Sequence, residues 1–225
     1  MINEEKKWHL YPQNKAVCKK LAEKLGKSEI LAQILLNRQI RSIKQAQNFL
    51  EPTLGNYKDG LGLERLTKAA KILQKHIQAK NKILVYGDYD ADGVTSTALL
   101  TSFINYFKGC VDFYIPHRFG EGYGLNDNAV AEIIDKRYAL LVTLDCGISD
   151  FKQIKELKEK SNIEVIVTDH HTIPDKLPNA DVIINPKFLD NTHPLVNLCG
   201  VGVVYKFLEF FISYFELDYN LEADL

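Results

Sequence analysis

The chain is poor in the residues that staple or anchor a fold. Its four cysteines, Cys18, Cys110, Cys146 and Cys199, lie far apart and form no CxxC pair. That argues against a disulfide framework or a zinc site and fits a reducing cytoplasm. No apolar run is long enough to span a bilayer, so no membrane partner is expected. The start, MINEEKKWHL, lacks the apolar core of a signal peptide. No internal repeat and no low-complexity segment is present. What remains is ordinary for a globular protein: 225 residues, 46% apolar and 25% charged, enough for one large or two small domains with a sizeable core.

Negative charge is scarce at one end. Residues 1–82 carry 17 Lys and Arg against 7 Asp and Glu, a balance of +10; the remaining 143 carry 11 against 22, a balance of −11. A basic first third beside an acidic remainder suits a polyanion on one side and cations on the other. Lysines that only solvate helix faces would give the same count.

Residues 13–49 read as helices, with Leu21, Leu25, Ile30, Ile34 and Leu35 at roughly helical spacing. Ser28-Glu29 can open the second of them. Glu51-Pro52 ends this unit, and Leu54–Gly62, with three glycines, reads as a linker. The pattern predicts an amino-terminal helical region and linker over 1–62 and a second domain over 63–225. A third helix is expected over Glu64–Gln78. From there strands and helices alternate. Strands are expected at Lys82–Tyr86, Val111–Pro116, Leu140–Leu144, Glu164–Thr168 and Val182–Ile184. Helices are expected at Val94–Phe107, Asn128–Lys136, Asp150–Glu159 and Val201–Phe215. Short, β-branched, nearly continuous apolar strands imply an α/β fold with a mostly parallel sheet and helices on both faces.

The chemistry gathers at strand ends. After Tyr86 come Asp88, Asp90 and Asp92; after Leu144 comes Asp145; after Thr168 come Asp169, His170 and His171. Parallel strands bring their carboxyl ends to one edge, where open α/β sheets build their sites. Three carboxylates within five residues repel one another unless a cation neutralises them, and hard divalent ions such as Mg²⁺ or Mn²⁺ prefer oxygen. Taken singly, Asp145 is equally a helix N-cap. A carboxylate shared by two ions holds them ~3.5–4 Å apart and makes hydroxide available near neutral pH. Imidazole tilts the choice towards Mn²⁺, and His171 can hydrogen-bond a phosphoryl oxygen or leaving group.

Two glycine-bearing stretches follow. In PHRFGEGYGLN, His117 and Arg118 are candidate phosphate contacts, although a solvated connector reads the same way. In LCGVG, Gly200 and Gly202 could let backbone N–H groups approach an anion, or serve close helix packing.

Assembled, these residues resemble the DHH phosphoesterase superfamily, in its RecJ-type branch of single-strand-specific DNA exonucleases. The resemblance rests on GDYDADG (87–93), TLDCGIS around Asp145, VTDHH (167–171), CGVGVVYK (199–206), RFGEGYGLN (118–126) and the helical region ending in FLEP (49–52). It implies a two-metal phosphodiesterase, using Mn²⁺ or Mg²⁺, that acts 5′ to 3′ on single-stranded DNA in recombination and repair. A single-strand-binding protein or a helicase is then a natural partner. It further implies that Asp90, Asp92, Asp145 and His170 are metal ligands, with Asp145 the bridge. Asp88 and Asp169 hold them in place, and His171 is a ligand or phosphate contact. Family members carry a further acidic ligand and a second domain beyond the point where this sequence ends. On that ground the expectation is an under-coordinated ion and weak or no activity in this chain alone. Two other readings stand beside it: a relative acting on short oligoribonucleotides, cyclic dinucleotides or pyrophosphate, and a non-catalytic protein that binds single strands or a replication partner.

Overall fold

The computed structural model describes residues 10–12, 14–51, 61–191 and 193–221. The chain divides into two compact units, Met1–Lys58 and Asp59–Leu225. Most of the expected linker, Pro52 of FLEP, the first nine residues and the last four lie outside the described residues.

The first unit holds three helices. α1 (Lys15–Leu25) starts where Asn14 Oδ1 accepts from the Val17 amide at 3.1 Å, and it stops at Gly26, whose φ of 62° is left-handed. Ser28 caps α2 (Glu29–Asn37). A reciprocal Ser42–Gln45 capping box opens α3 (Ile43–Leu50), a helix the apolar spacing alone did not separate from α2. Cys18, Leu21, Ala22, Ala32, Leu35 and Ala46 form the unit's core.

The second unit begins with α4 (Leu63–Gln78), which buries Leu66, Ala69, Ala70, Leu73 and Ile77 on one face. Then come β1 (Lys82–Gly87), α5 (Ala91–Tyr106), β2 (Cys110–Tyr114), α6 (Asp127–Asp135), β3 (Leu140–Leu144), α7 (Phe151–Lys160), β4 (Glu164–Thr168), β5 (Val182–Ile184) and α8 (Gly200–Tyr214). The five strands are all parallel, in the order β2-β1-β3-β4-β5. All five β3 residues are buried, as a strand covered on both faces requires. β2, at the sheet edge, stops two residues before the expected Pro116. α5 starts three residues before the expected Val94, because Asp90 rather than Gly93 caps it. Among the described residues no helix is long and apolar enough to cross a membrane.

The register places the site. Gly87 pairs with Leu144, Leu144 with Thr168, and Thr168 with Ile184. The ladder runs one residue further: the amides of Asp88, Asp145 and Asp169 donate to Leu144, Thr168 and Ile184 carbonyls at 3.3, 3.0 and 3.0 Å. Three aspartates therefore stand in one row across the carboxyl edge of the sheet, with Asn185 completing it.

Candidate metal centre

β1 ends in a turn that must be tight. A Cβ on Gly93 would lie 2.4 Å from the Asp88 carbonyl oxygen, so α5 can fold back over the turn only with glycine there. The fold-back aims the Asp90 carboxylate at the helix start, where Oδ1 accepts from Asp92 N at 2.9 Å and Gly93 N at 3.0 Å. Those bonds, the Gly93 amide foremost, hold Asp90 below the usual carboxylate range.

Asp88 sits differently. It is buried, its Oδ1 has no hydrogen-bond donor among the described residues, and burial raises its pKa. Asp145 goes further. Its φ of 61° is left-handed, a conformation a non-glycine residue holds only when its surroundings enforce it. Its carboxylate is 2% exposed, and Oδ1 likewise has no donor. Burial first, then the charges of Asp92 and Asp90, push it up to about 8.

The histidines face this carboxylate. His170 Nδ1 lies 3.1 Å from the Leu198 carbonyl, which can only accept, so the ring proton belongs on Nδ1. In its neutral form the ring turns the Nε2 lone pair towards Asp145 Oδ1, 3.1 Å away. Two acceptors facing each other at that distance are resolved by a proton or a cation. His171 Nδ1 lies 2.7 Å from Asp169 Oδ1. Asp169 also accepts from the amides of His170, His171 and Ile148 at 2.7, 3.0 and 2.9 Å. Its Oδ1 is committed to orienting the two histidines and its Oδ2 to the Ile148 amide. The Tyr123 hydroxyl donates to the Asp145 carbonyl at 3.2 Å and lies 3.1 Å from His171 Nδ1.

Two groups of ligand atoms result, each within 4.8 Å: Asp88, Asp90 and Asp145, and Asp145, His170 and His171. Asp145 belongs to both. The donor-free buried oxygens of Asp88 and Asp145, and the lone pairs facing across the Asp145–His170 gap, fit divalent cations.

The other sequence candidates stand apart from these groups. Asp92 points to α8: its Oδ2 accepts from Gly200 N at 2.6 Å and its Oδ1 from Val201 N at 3.0 Å. The anion at that helix start is thus a side chain of the protein itself. Gly202 packs against Leu198 and Cys199. Arg118 lies 5.3 Å over the Tyr89 ring, within the acidic turn. The exposed His117 gives its amide to Glu121 at 2.7 Å. Sequence reasoning missed Tyr123 as a contact of the centre. It also missed Asn185, whose Nδ2 donates to the His171 carbonyl at 3.0 Å; its place just after a strand end was the available signal.

Comparison with known proteins bears on this geometry. The model of the DHH family, N-terminal domain, matches residues 82–225. The single-stranded-DNA-specific exonuclease RecJ of Bacillus subtilis is 35% identical over 206 residues, covering 92% of this chain and 26% of that protein. A crystal structure of exonuclease RecJ bound to manganese superposes with a TM-score of 0.64 at 34% identity, over 71% of this chain and 40% of that one. RecJ from Thermus thermophilus in complex with Mn²⁺ does so with a TM-score of 0.66 at 28% identity, over 92% of this chain and 28% of that one. The chain thus spans about a quarter of the length of the curated relative it matches.

Proposed function

The chain belongs to the DHH family, and from that membership we propose that it supplies the metal centre of a phosphodiester hydrolase, an exonuclease that degrades single-stranded DNA 5′ to 3′ with Mn²⁺ or Mg²⁺. One observation carries the reading. Two donor groups share Asp145, whose buried Oδ1 has no hydrogen-bond donor among the described residues.

In this reading Asp88, Asp90 and Asp145 hold one ion, and Asp145, His170 and His171 hold the other. Asp92 keeps α8 against the site and lends its charge. When bound, divalent ions there would supply positive charge for a phosphate and lower the pKa of water. The chain's own groups do the rest. Asp169 holds the His171 ring by its Nδ1, which leaves Nε2 as the nitrogen that would face the second ion. Arg118, braced on Tyr89, offers a planar fork to a phosphate. The reading places the reaction in the cytoplasm, in recombination and repair, beside single-strand-binding protein or helicase.

The test is mononucleotide release from single-stranded DNA by a protein carrying this chain, with and without Mn²⁺. The expected result is metal-dependent release, abolished by Asp145→Ala and His170→Ala. Faster turnover of dinucleotides or pyrophosphate than of long single strands would assign the chain to another substrate class.

A further inference from the structure

The first unit carries a groove that the proposed chemistry does not use. Its volume is 450 Å³, and it is bounded by Tyr11, Val17, Gln33, Leu36, Asn37 and Arg41, among others. Its lining joins an exposed tyrosine to aliphatic side chains and to side-chain amides. Gln33 Nε2 donates to Asn37 Oδ1 at 2.7 Å. That bond leaves Gln33 Oε1 as an acceptor and Asn37 Nδ2 as a donor on two residues that line the groove. A paired acceptor and donor is the complement of a nucleobase edge.

The rim is cationic, and its charge is unspent. Lys20 and Lys24 follow Val17 by three and seven residues, so they share the face that carries Val17 into the groove. Arg41 bounds the groove from beyond α2, its guanidinium donating to the neutral Gln39 at 2.6 Å and, among the described residues, to no carboxylate. The described part of this unit, residues 10–51, holds eight Lys and Arg against three acids, Glu23, Glu29 and Glu51. Among the described residues none of those eight is in an ion pair. The second unit differs: Lys75, Lys136, Lys155, Lys158, Lys160 and Lys206 each pair with a carboxylate. The contrast is one of degree, since the other eleven described Lys and Arg of the second unit are in no ion pair either.

We infer that the Tyr11–Asn37–Arg41 groove is a binding site for single-stranded nucleic acid, taking a base between Tyr11 and the Gln33–Asn37 amides while Lys20, Lys24 and Arg41 neutralise flanking phosphates. The choice of nucleic acid as the polyanion rests on the function proposed above; the groove, its amides and its unpaired cations do not.

The test is fluorescence anisotropy of a labelled oligothymidylate with the whole 225-residue chain in EDTA, across a salt series. The triple variant Lys20→Gln/Lys24→Gln/Arg41→Gln is expected to bind about tenfold or more weakly, with a salt slope shallower by about 2 (roughly 0.7 per lost phosphate contact). Asn37→Ala is expected to weaken binding without changing that slope, since it removes no charge. Lys155→Gln/Lys160→Gln, which removes two ion-paired lysines of α7, should leave both unchanged. Circular dichroism confirms that each variant is folded. The proposal is overturned if the triple variant matches wild type, if wild type does not bind, or if polyglutamate competes as well as DNA. Mn²⁺ binding, measured by calorimetry on EDTA-free aliquots of the same variants, keeps the two readings separate. DNA binding without Mn²⁺ binding sinks the metal centre and spares the groove; Mn²⁺ binding without DNA binding does the reverse.

Discussion

The Gly200 amide donates to Asp92 Oδ2 at 2.6 Å, joining segments 108 residues apart. The bond seats the start of α8 so close to the centre that a Cβ on Gly200 would fall 2.3 Å from Asp145 Oδ1. The Asp92 charge meanwhile helps keep Asp145 protonated in the metal-free chain.

Gly200→Ala therefore has to move either α8 or the Asp145 carboxylate. The expected cost is about 1–3 kcal/mol of stability, the usual range for an overpacked site. Mn²⁺ affinity should fall with it. Chemical denaturation and metal titration of the variant check both; unchanged values would mean that α8 does not seat against Asp145.

Asp145 gives a pH prediction of unusual sign. The folded state keeps this proton up to about 8, while the unfolded chain releases it near pH ~3.9. Across that window the folded state binds more protons, so stability falls as pH rises. In EDTA, Asp145→Asn should flatten the decline and raise stability at the alkaline end by about 1–2 kcal/mol, as neutralising a strained site residue commonly does. Mn²⁺ should stabilise wild type more at pH 8 than at pH 6, because binding must displace the proton. Parallel melting curves for wild type and variant across pH would contradict this.

Glu164 behaves the opposite way, at the other edge of the sheet. Burial would raise it, but Lys75 and His76, the latter 2.7 Å away, hold it below its ordinary value. The stability it contributes is present above pH ~4.3 and is lost as pH falls through the folded value. Glu164→Gln should cost about 1 kcal/mol at neutral pH and nothing in strong acid. A cost that persists in acid would assign Glu164 a packing role instead.

Much of this was legible beforehand. β-branched runs followed by Asp88, Asp145 and Asp169 announced a parallel sheet with acids along one edge, and the register delivers them there. The third helix of the first unit escaped notice because no glycine or proline marks the break at Gln39–Arg41. The resemblance implies Asp92 as a ligand; in the fold its oxygens accept from amides of a helix more than a hundred residues away, a pairing local pattern cannot reveal. Tyr123 is hidden as a contact of the centre for the same reason: its partners, Asp145 and His171, are neighbours only in the folded sheet.

Tyr123→Phe removes the hydroxyl that touches both of them. Activity should fall about threefold to tenfold, the worth of one modest hydrogen bond, with Mn²⁺ affinity nearly unchanged. Steady-state rates beside metal titrations decide; a loss of metal affinity equal to the loss of rate would make Tyr123 part of the ion site.

The central claim is that Asp145 is shared between two ion sites, and calorimetric titration with Mn²⁺ tests it most directly. Wild type should bind two ions, and Asp145→Ala should weaken both, because each donor group loses the same carboxylate. One ion lost and the other untouched, or no binding by wild type, would contradict the account.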